Sequence, residues 1–388
     1  MQFAARTHHL EPEGAYQVLA RANQMEAAGK EIIHLEVGQP DYATFENVSQ
    51  AGIEAIKGGK TRYTPPAGMP SLREAIAEKA GQQRGIEVRP EEVVVSPGGK
   101  PNLFFPTLAL VEPGDEVIYP NPGFPTYEAM IRVAGGIPVA VPLLEQNQFS
   151  FNLDAFDKVI NDKTRLIILN SPSNPTGGII PPADLEHIAS QAERFNCWIM
   201  SDEIYARIVY DGLEALSIAS LTGMRERTII MDGFSKTYAM TGWRLGFGIM
   251  PKELADRVDL LLTHSVGSTA HFTQFAGLEA ITGPQDMVEV MVTEYQRRRN
   301  VIVEGLNAIP GFTCQKPQGA FYVFPNITGT GIGSTELANL ILEKAGVALL
   351  PGNSFGEYGE GYLRLSYANS IENIQKALDK IKDALKKM

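Results

Sequence analysis

Residues 227–250 read "RTIIMDGFSKTYAMTGWRLGFGIM". Two apolar runs, 227–233 and 244–250, flank a middle rich in small residues. Both runs are continuous rather than alternating, which is how strands covered on both faces read. The middle carries Lys236 and, eight positions on, Arg244 between Trp243 and Leu245. Two cations in a segment with the character of protein interior call for partners, because an unpaired buried charge is costly.

Comparable runs occur at "EEVVVSP" (91–97), "DEVIYP" (115–120), "TRLIILNSP" (164–172) and "NCWIMSDE" (196–203). Helical patterns lie between them, among them "PPADLEHIASQAERF" (181–195) with proline near its start. This alternation predicts an α/β fold, a mainly parallel sheet flanked by helices. After about residue 280 the pattern changes. Apolar residues at 287, 290, 291, 295, 302, 306 and 309 fit one long amphipathic helix ended by Pro310-Gly311. Three strand candidates follow, "GAFYVFPNI", "GVALLPG" and "GYLRLSYA". The expected organisation is an N-terminal segment (1–45) packed on a smaller C-terminal α/β domain (284–388), with a large domain (46–283) between.

The chain has 388 residues, 44% of them hydrophobic and 20% charged, and a formal net charge of −11. That length implies two or three domains with a sizeable core. The acidic balance argues against nucleic-acid backbone binding, which needs clustered positive charge. The one tight basic run, Arg297–Arg299, reads as a solvated helix face. Two distant cysteines, Cys197 and Cys314, fit a reducing cytoplasm rather than a disulfide framework. The first residues lack the apolar core of a signal peptide, and no run suits a membrane span. The six histidines show no metal-ligand spacing, so no metal is expected.

In an open parallel sheet, ligands bind beyond the carboxyl ends of the strands. After 91–97 come Gly98, Gly99 and Lys100, either a plain tight turn or a phosphate cradle at a helix start. The spacing is not that of a P-loop. Asn174, in "SNPTGG", is either a turn former or a site residue. Asp202 is either a helix cap or the partner of a buried cation, and Tyr205 lies three residues on. Together with Lys236 and Arg244, these groups suit one ligand, a phosphorylated heterocycle bearing an aldehyde. Arginine and a helix start bind phosphate, lysine condenses with the aldehyde, and aspartate keeps a pyridine nitrogen protonated. Pyridoxal 5'-phosphate has each of these groups.

Nearly the whole chain, from "LEVGQPDY" to "YLRLSYANS", resembles the class I/II aminotransferases, pyridoxal-phosphate enzymes of fold type I related to aspartate aminotransferase. "SKTYAMTGWRLG" is a specific motif of that family, and "NSPSNPTG", "SDEIY" and "LRLSYA" come in its order. The resemblance implies roles. Lys236 matches the Schiff-base lysine that also moves the α-proton, and Asp202 the partner of the pyridinium. Tyr205 and Asn174 match the contacts to the ring hydroxyl. The backbones of Gly98, Gly99 and Lys100, with Ser235 and Arg244, match the phosphate cup. Phe124 matches the aromatic stacked on the ring, and Arg364 the clamp for the substrate α-carboxylate, with Gly38 lining the same pocket. Tyr63 matches a tyrosine that reaches the cofactor of the neighbouring subunit, which implies a homodimer with shared active sites.

The implied activity is a ping-pong transfer of an amino group from an L-amino acid to a 2-oxo acid. Aspartate, aromatic residues, alanine or glutamate are candidate donors. A C–S lyase or related synthase on the same fold is the alternative. A DNA-binding regulator built on this domain conflicts with the acidic charge, and a P-loop protein with the missing motif. Two departures stand out. Many relatives carry serine where this chain has Gly233. "LLLTHSVGSTAHF" (260–272) offers no arginine for a side-chain carboxylate, only His264 and His271. "GTGIGS" (329–334) does not match a dinucleotide fingerprint and reads as a mobile loop.

Overall fold

The computed structural model describes residues 3–8, 10 and 12–386. Along the chain, α1 (Gly14–Ala27), β1 (Ile33–His34), α2 (Glu46–Lys57) and α3 (Pro70–Arg84) precede the first long run of alternation. Then come β2 (Val93–Ser96), α4 (Pro101–Leu110), β3 (Glu116–Asn121), α5 (Thr126–Ala134), β4 (Ile137–Leu144) and β5 (Ser150–Phe151). They are followed by α6 (Leu153–Val159), β6 (Thr164–Asn170), α7 (Pro182–Arg194), β7 (Trp198–Asp202), β8 (Thr228–Gly233) and β9 (Gly246–Ile249). Helices α8 (Lys252–Thr263), α9 (His271–Thr282) and α10 (Asp286–Asn307) lead to β10 (Tyr322–Val323) and α11 (Ser334–Leu340). The chain closes with β11 (Val347–Ala348), β12 (Leu350–Pro351), β13 (Leu363–Ser366) and α12 (Ile371–Lys386).

Eight strands form the main sheet in the order β2-β9-β8-β7-β6-β3-β4-β5. The central pairs β8–β7, β7–β6, β6–β3 and β3–β4 are parallel. β9 runs antiparallel to both β8 and β2, so the 227–250 stretch is a strand, a turn and a return strand. The buried faces explain the continuous apolar runs: every residue of β2, β8 and β9 is buried. Because β9 returns, Lys236 and Arg244 both lie at the edge where β2, β6 and β7 end.

The N-terminal segment joins the C-terminal part. β1 pairs in parallel with β11, Ile33 opposite Val347, while β10, β13 and β12 form a separate antiparallel sheet. "GVALLPG" thus supplies two short strands rather than one. α12 buries Ile374, Ala377, Leu378 and Ile381 on one face and packs on α10.

Two sequence readings need correction. In α10, Met287 and Val290 are exposed, and the core face instead runs through Val288, Met291, Tyr295, Ile302 and Leu306. The arginine run is not a solvated face. Arg297 is exposed, but Arg298 and Arg299 are buried. Arg298 Nη1 lies 2.8 Å from both carboxylate oxygens of Asp41, and its Nε donates to Glu294. Arg299 forks onto Asp211 at 2.8 and 2.9 Å with its guanidinium 4.8 Å from the centre of the Tyr210 ring. These carboxylates, distant in sequence except Glu294, are what permit burial of the two arginines. The 329–334 stretch begins in a 3-10 turn, Thr328–Thr330, set against Gly311, where a Cβ would lie 2.8 Å from Thr330 N, and it leads into α11. Ser334 N donates to Glu360 Oε1 at 2.8 Å, which ties down the start of α11.

Candidate active site

At the carboxyl edge of the main sheet lies a cavity of about 1170 Å³. Its wall includes Gly38, Gly99, Lys100, Phe124, Asn174, Asp202, Tyr205, Ser235, Lys236, Arg244 and Arg364. These come from many parts of the chain. Gly99 and Lys100 follow β2, Phe124 follows β3, Asn174 follows β6 and Asp202 ends β7. Ser235 and Lys236 follow β8, Arg244 precedes β9, Gly38 follows β1 and Arg364 lies on β13. Gly98 is beside this wall, against Arg244. A Cβ built on it would stand 2.2 Å from Arg244 Nη2, and its φ of +88° suits glycine. Tyr63 is elsewhere, almost fully exposed (98%) on the surface.

Lys236 is the centre of the arrangement. Its Nζ donates to Gly38 O at 2.5 Å, with the rings of Phe321 and Tyr205 about the amine at 5.8 and 6.0 Å. Burial pushes the ammonium down to about 8, helped by the positive charges of Arg364 and Arg244 and opposed by Asp202. Gly38 is required by close approach: a Cβ there would sit 2.2 Å from the Tyr322 hydroxyl.

Asp202, 3% exposed, is the floor. Desolvation raises its carboxyl to about 7, against the hydrogen bonds it accepts from Tyr127 Oη at 2.6 Å and Ile204 N at 3.2 Å. A carboxylate so placed favours a ligand that brings positive charge to it. Tyr205 lies beside it and shares a 2.7 Å hydrogen bond with the Tyr322 hydroxyl.

Arg364 is buried, and burial lowers the pKa of its guanidinium. Its Nη1 donates to Asn174 Oδ1 at 3.3 Å and its Nη2 to the Glu36 carbonyl, while Tyr322 stacks 4.6 Å from it. Its Nε has no partner among the described residues. A buried donor left unsatisfied marks a place for a ligand acceptor. Arg244 is exposed, against the interior character its segment suggested; it adopts φ +53°, a left-handed backbone that non-glycine residues avoid, and donates to Thr241 O. Among the described residues, no carboxylate lies within 4.0 Å of Lys236, Arg244 or Arg364.

Tyr127 and Tyr322 contribute to the site without having been singled out from the sequence. Tyr127 stood in view three residues after Phe124, and its edge meets the Phe124 ring at 5.7 Å. Neither His264 nor His271 lines the cavity, although Val266, Ser268, Thr269, Ala270 and Phe272 around them do. The glycine at 233 also has a structural context. A Cβ there would lie 3.0 Å from Gly246 Cα and 3.3 Å from Ile204 Cδ1, a close approach set by the β8–β9 pairing that a side chain could meet only by shifting its neighbours by a few tenths of an ångström. No cluster of three metal-ligating side chains occurs among the described residues.

The chain is similar to several known proteins. It is 42% identical to the aspartate aminotransferase of Pyrococcus abyssi over 93% of each chain. It is 40% identical to aromatic-amino-acid aminotransferase 2 of Thermococcus litoralis over 92% of each. Among solved structures, the Thermus thermophilus aspartate aminotransferase with maleate superposes with a TM-score of 0.95 at 37% identity, over 99% of this chain and 100% of that one. The family model for aminotransferases of class I and II matches residues 30–381. With that match and these relatives, the chain belongs to the class I and II aminotransferase family, and it is an aminotransferase.

Proposed function

We propose that this enzyme binds pyridoxal 5'-phosphate in the cavity and uses it to move amino groups between L-amino acids and 2-oxo acids. The observation that carries this reading is Lys236, a half-buried amine of lowered pKa in one cavity with Asp202, beside the buried Arg364, which no carboxylate among the described residues contacts. The residues present fit the group. Gly98 gives room for Arg244, Arg364 keeps an unsatisfied Nε, and Asp202 is a buried acid awaiting a positive partner.

In this reading the backbone N–H groups of Gly98, Gly99 and Lys100, with Ser235 and Arg244, would hold the phosphate, and Phe124 the ring face. Asp202 would hold the pyridine nitrogen, Tyr205 and Asn174 the ring hydroxyl, and Lys236 the aldehyde carbon. The cofactor, when bound, supplies an electron sink for the pair released at the substrate Cα. Arg364, with Asn174 and the Gly38 backbone, orients the α-carboxylate by charge-assisted hydrogen bonds. Lys236 Nζ takes the α-proton as general base, a role suited by a pKa near the working pH. Freed from the aldehyde carbon when the substrate amine takes its place, Lys236 Nζ would pass that proton from the substrate Cα to the former aldehyde carbon, and the second half-reaction would run the same transfer in reverse.

The unit 46–283 is assigned to the cofactor, and 284–388 with 1–45 to the smaller domain that brings Arg364. Tyr63, exposed and away from its own cavity, is assigned to the cofactor of a second copy in a homodimer. A cytoplasmic location is supported by two free, buried thiols, Cys197 and Cys314. A broad donor range is supported by relatives named for aspartate and aromatic amino acids and by a structural neighbour named for alanine.

The test is a panel of aspartate, glutamate, phenylalanine and alanine against 2-oxoglutarate, pyruvate and oxaloacetate, with cofactor absorbance followed in each half-reaction. An absorbance change with a donor alone, reversed by a 2-oxo acid, is the expected result. Pyruvate and ammonia released from cystathionine without an acceptor would contradict it.

A further inference from the structure

The cavity wall carries four cations, Lys100, Lys236, Arg244 and Arg364, and two carboxylates, Asp202 and Glu13. Asp202 is the floor. Glu13 comes from outside the sheet, immediately before α1, and its Oε1 makes an ion pair with Lys100 Nζ. Thr126 Oγ1 lies 3.5 Å from the same oxygen. The Lys100 ammonium also sits 5.2 Å from the centre of the Phe124 ring. The negative charge of Glu13 is close enough to act on Arg364. Glu13 therefore places a carboxylate at the mouth of the cavity, on the one lining cation that the proposed roles of Lys236, Arg244 and Arg364 leave over.

The segment that holds Glu13 is seated on the fold. Gly14 follows it, and a Cβ there would stand 2.7 Å from Ser354 Oγ. Ala15 and Tyr16 line the cavity beside it. Glu13 side-chain exposure is 26%, against 48% for Lys100, so the pair is partly shielded.

We propose that Glu13 is a specificity-determining residue, a tethered carboxylate that occupies Lys100 and competes with the side-chain carboxylate of dicarboxylic substrates. This rests on the reading of Arg364 as the α-carboxylate site. An amino acid with an uncharged side chain leaves the Glu13–Lys100 pair in place. A dicarboxylate must displace Glu13 to reach Lys100, so Glu13 acts against it through its hold on that ammonium. The chain thus admits both classes of substrate while handicapping the acidic one.

The test measures dissociation constants of maleate, by calorimetry on the holoenzyme, for the wild type, Glu13→Gln, Lys100→Gln and the double variant. Alongside these, kcat/KM for aspartate, glutamate and alanine is compared. For Glu13→Gln the expected result is maleate binding about two- to fivefold tighter, the range for a partly exposed ion pair. The ratio of kcat/KM for dicarboxylates to that for alanine should rise by the same factor. In the Lys100→Gln background, Glu13→Gln should bring no such gain. Unchanged maleate affinity would overturn the proposal, as would an equal gain for alanine or a gain that survives the loss of Lys100. A wild type that transaminates none of these donors would instead overturn the assignment of the cavity itself.

Discussion

Asp202 and Asp232 stand at the ends of neighbouring parallel strands, yet they belong to opposite kinds of environment. Asp232 Oδ2 accepts from Arg84 Nη2 at 2.6 Å, and Arg84 Nε donates at 2.6 Å to Glu203. Glu203 also accepts from Ser201 and Ser217 at 2.8 and 2.6 Å. That cluster is closed, each charge answered by protein. Among the described residues Asp202, one strand over, has only Tyr127 and a backbone amide as donors, and of the cations across the cavity Lys236, Arg244 and Arg364 have no acid in contact. Complete pairing marks a structural role. Charges placed opposite one another without pairing mark a site that a ligand completes.

The largest effect expected from disturbing the open region is loss of catalysis without loss of fold. Lys236→Ala should lower kcat by about 10⁴-fold or more while circular dichroism stays native, since its amine serves as the acid–base group. Disturbing the closed region should do the reverse. Arg84→Met leaves Asp232 and Glu203 buried without a cation, and urea denaturation should show a loss of about 3–5 kcal/mol. Wild-type stability after that change would mean the cluster is not the compensated unit described.

A smaller effect sharpens the contrast through pH. In the cofactor-free protein the folded-state pKa of Asp202 lies near 7, above its unfolded value. Its contribution to stability is therefore intact below about pH 4 and is lost as pH rises to about 7. Lys236 acts in the opposite sense, its depressed pKa taking stability away as pH falls through about 8. Comparing D202N with the wild type isolates the first contribution. The variant should melt a few degrees higher at pH 8 and nearly together with the wild type at pH 4. A constant difference across that range would show that the Asp202 carboxyl is not desolvated.

Much of this was legible in the sequence, for identifiable reasons. Strands buried on both faces leave continuous apolar runs, and chemistry at a parallel sheet's edge follows those runs directly. Asp202, Lys236 and Asn174 could be found that way. Arg298 and Arg299 could not be placed correctly, because their burial depends on Asp41 and Asp211, which the fold brings from far along the chain. The exposure of Met287 and Val290 escaped for a related reason: helical periodicity gives a face, while packing decides where that face begins. Glu13 carried no signal at all, since nothing in "EPEGAY" shows that it ends on Lys100. Gly233 read as a missing hydroxyl, and only the strand pairing shows how closely Gly246 and Ile204 approach it.

The central claim is that Lys236 is the amine the cavity was built around. The most direct measurement is borohydride reduction of the protein after loading with pyridoxal 5'-phosphate, followed by peptide mass spectrometry. This account expects a stable cofactor adduct on the peptide bearing Lys236 and on no other lysine at equimolar loading. An adduct on Lys100, or spread over surface lysines with Lys236 unmodified, would contradict it.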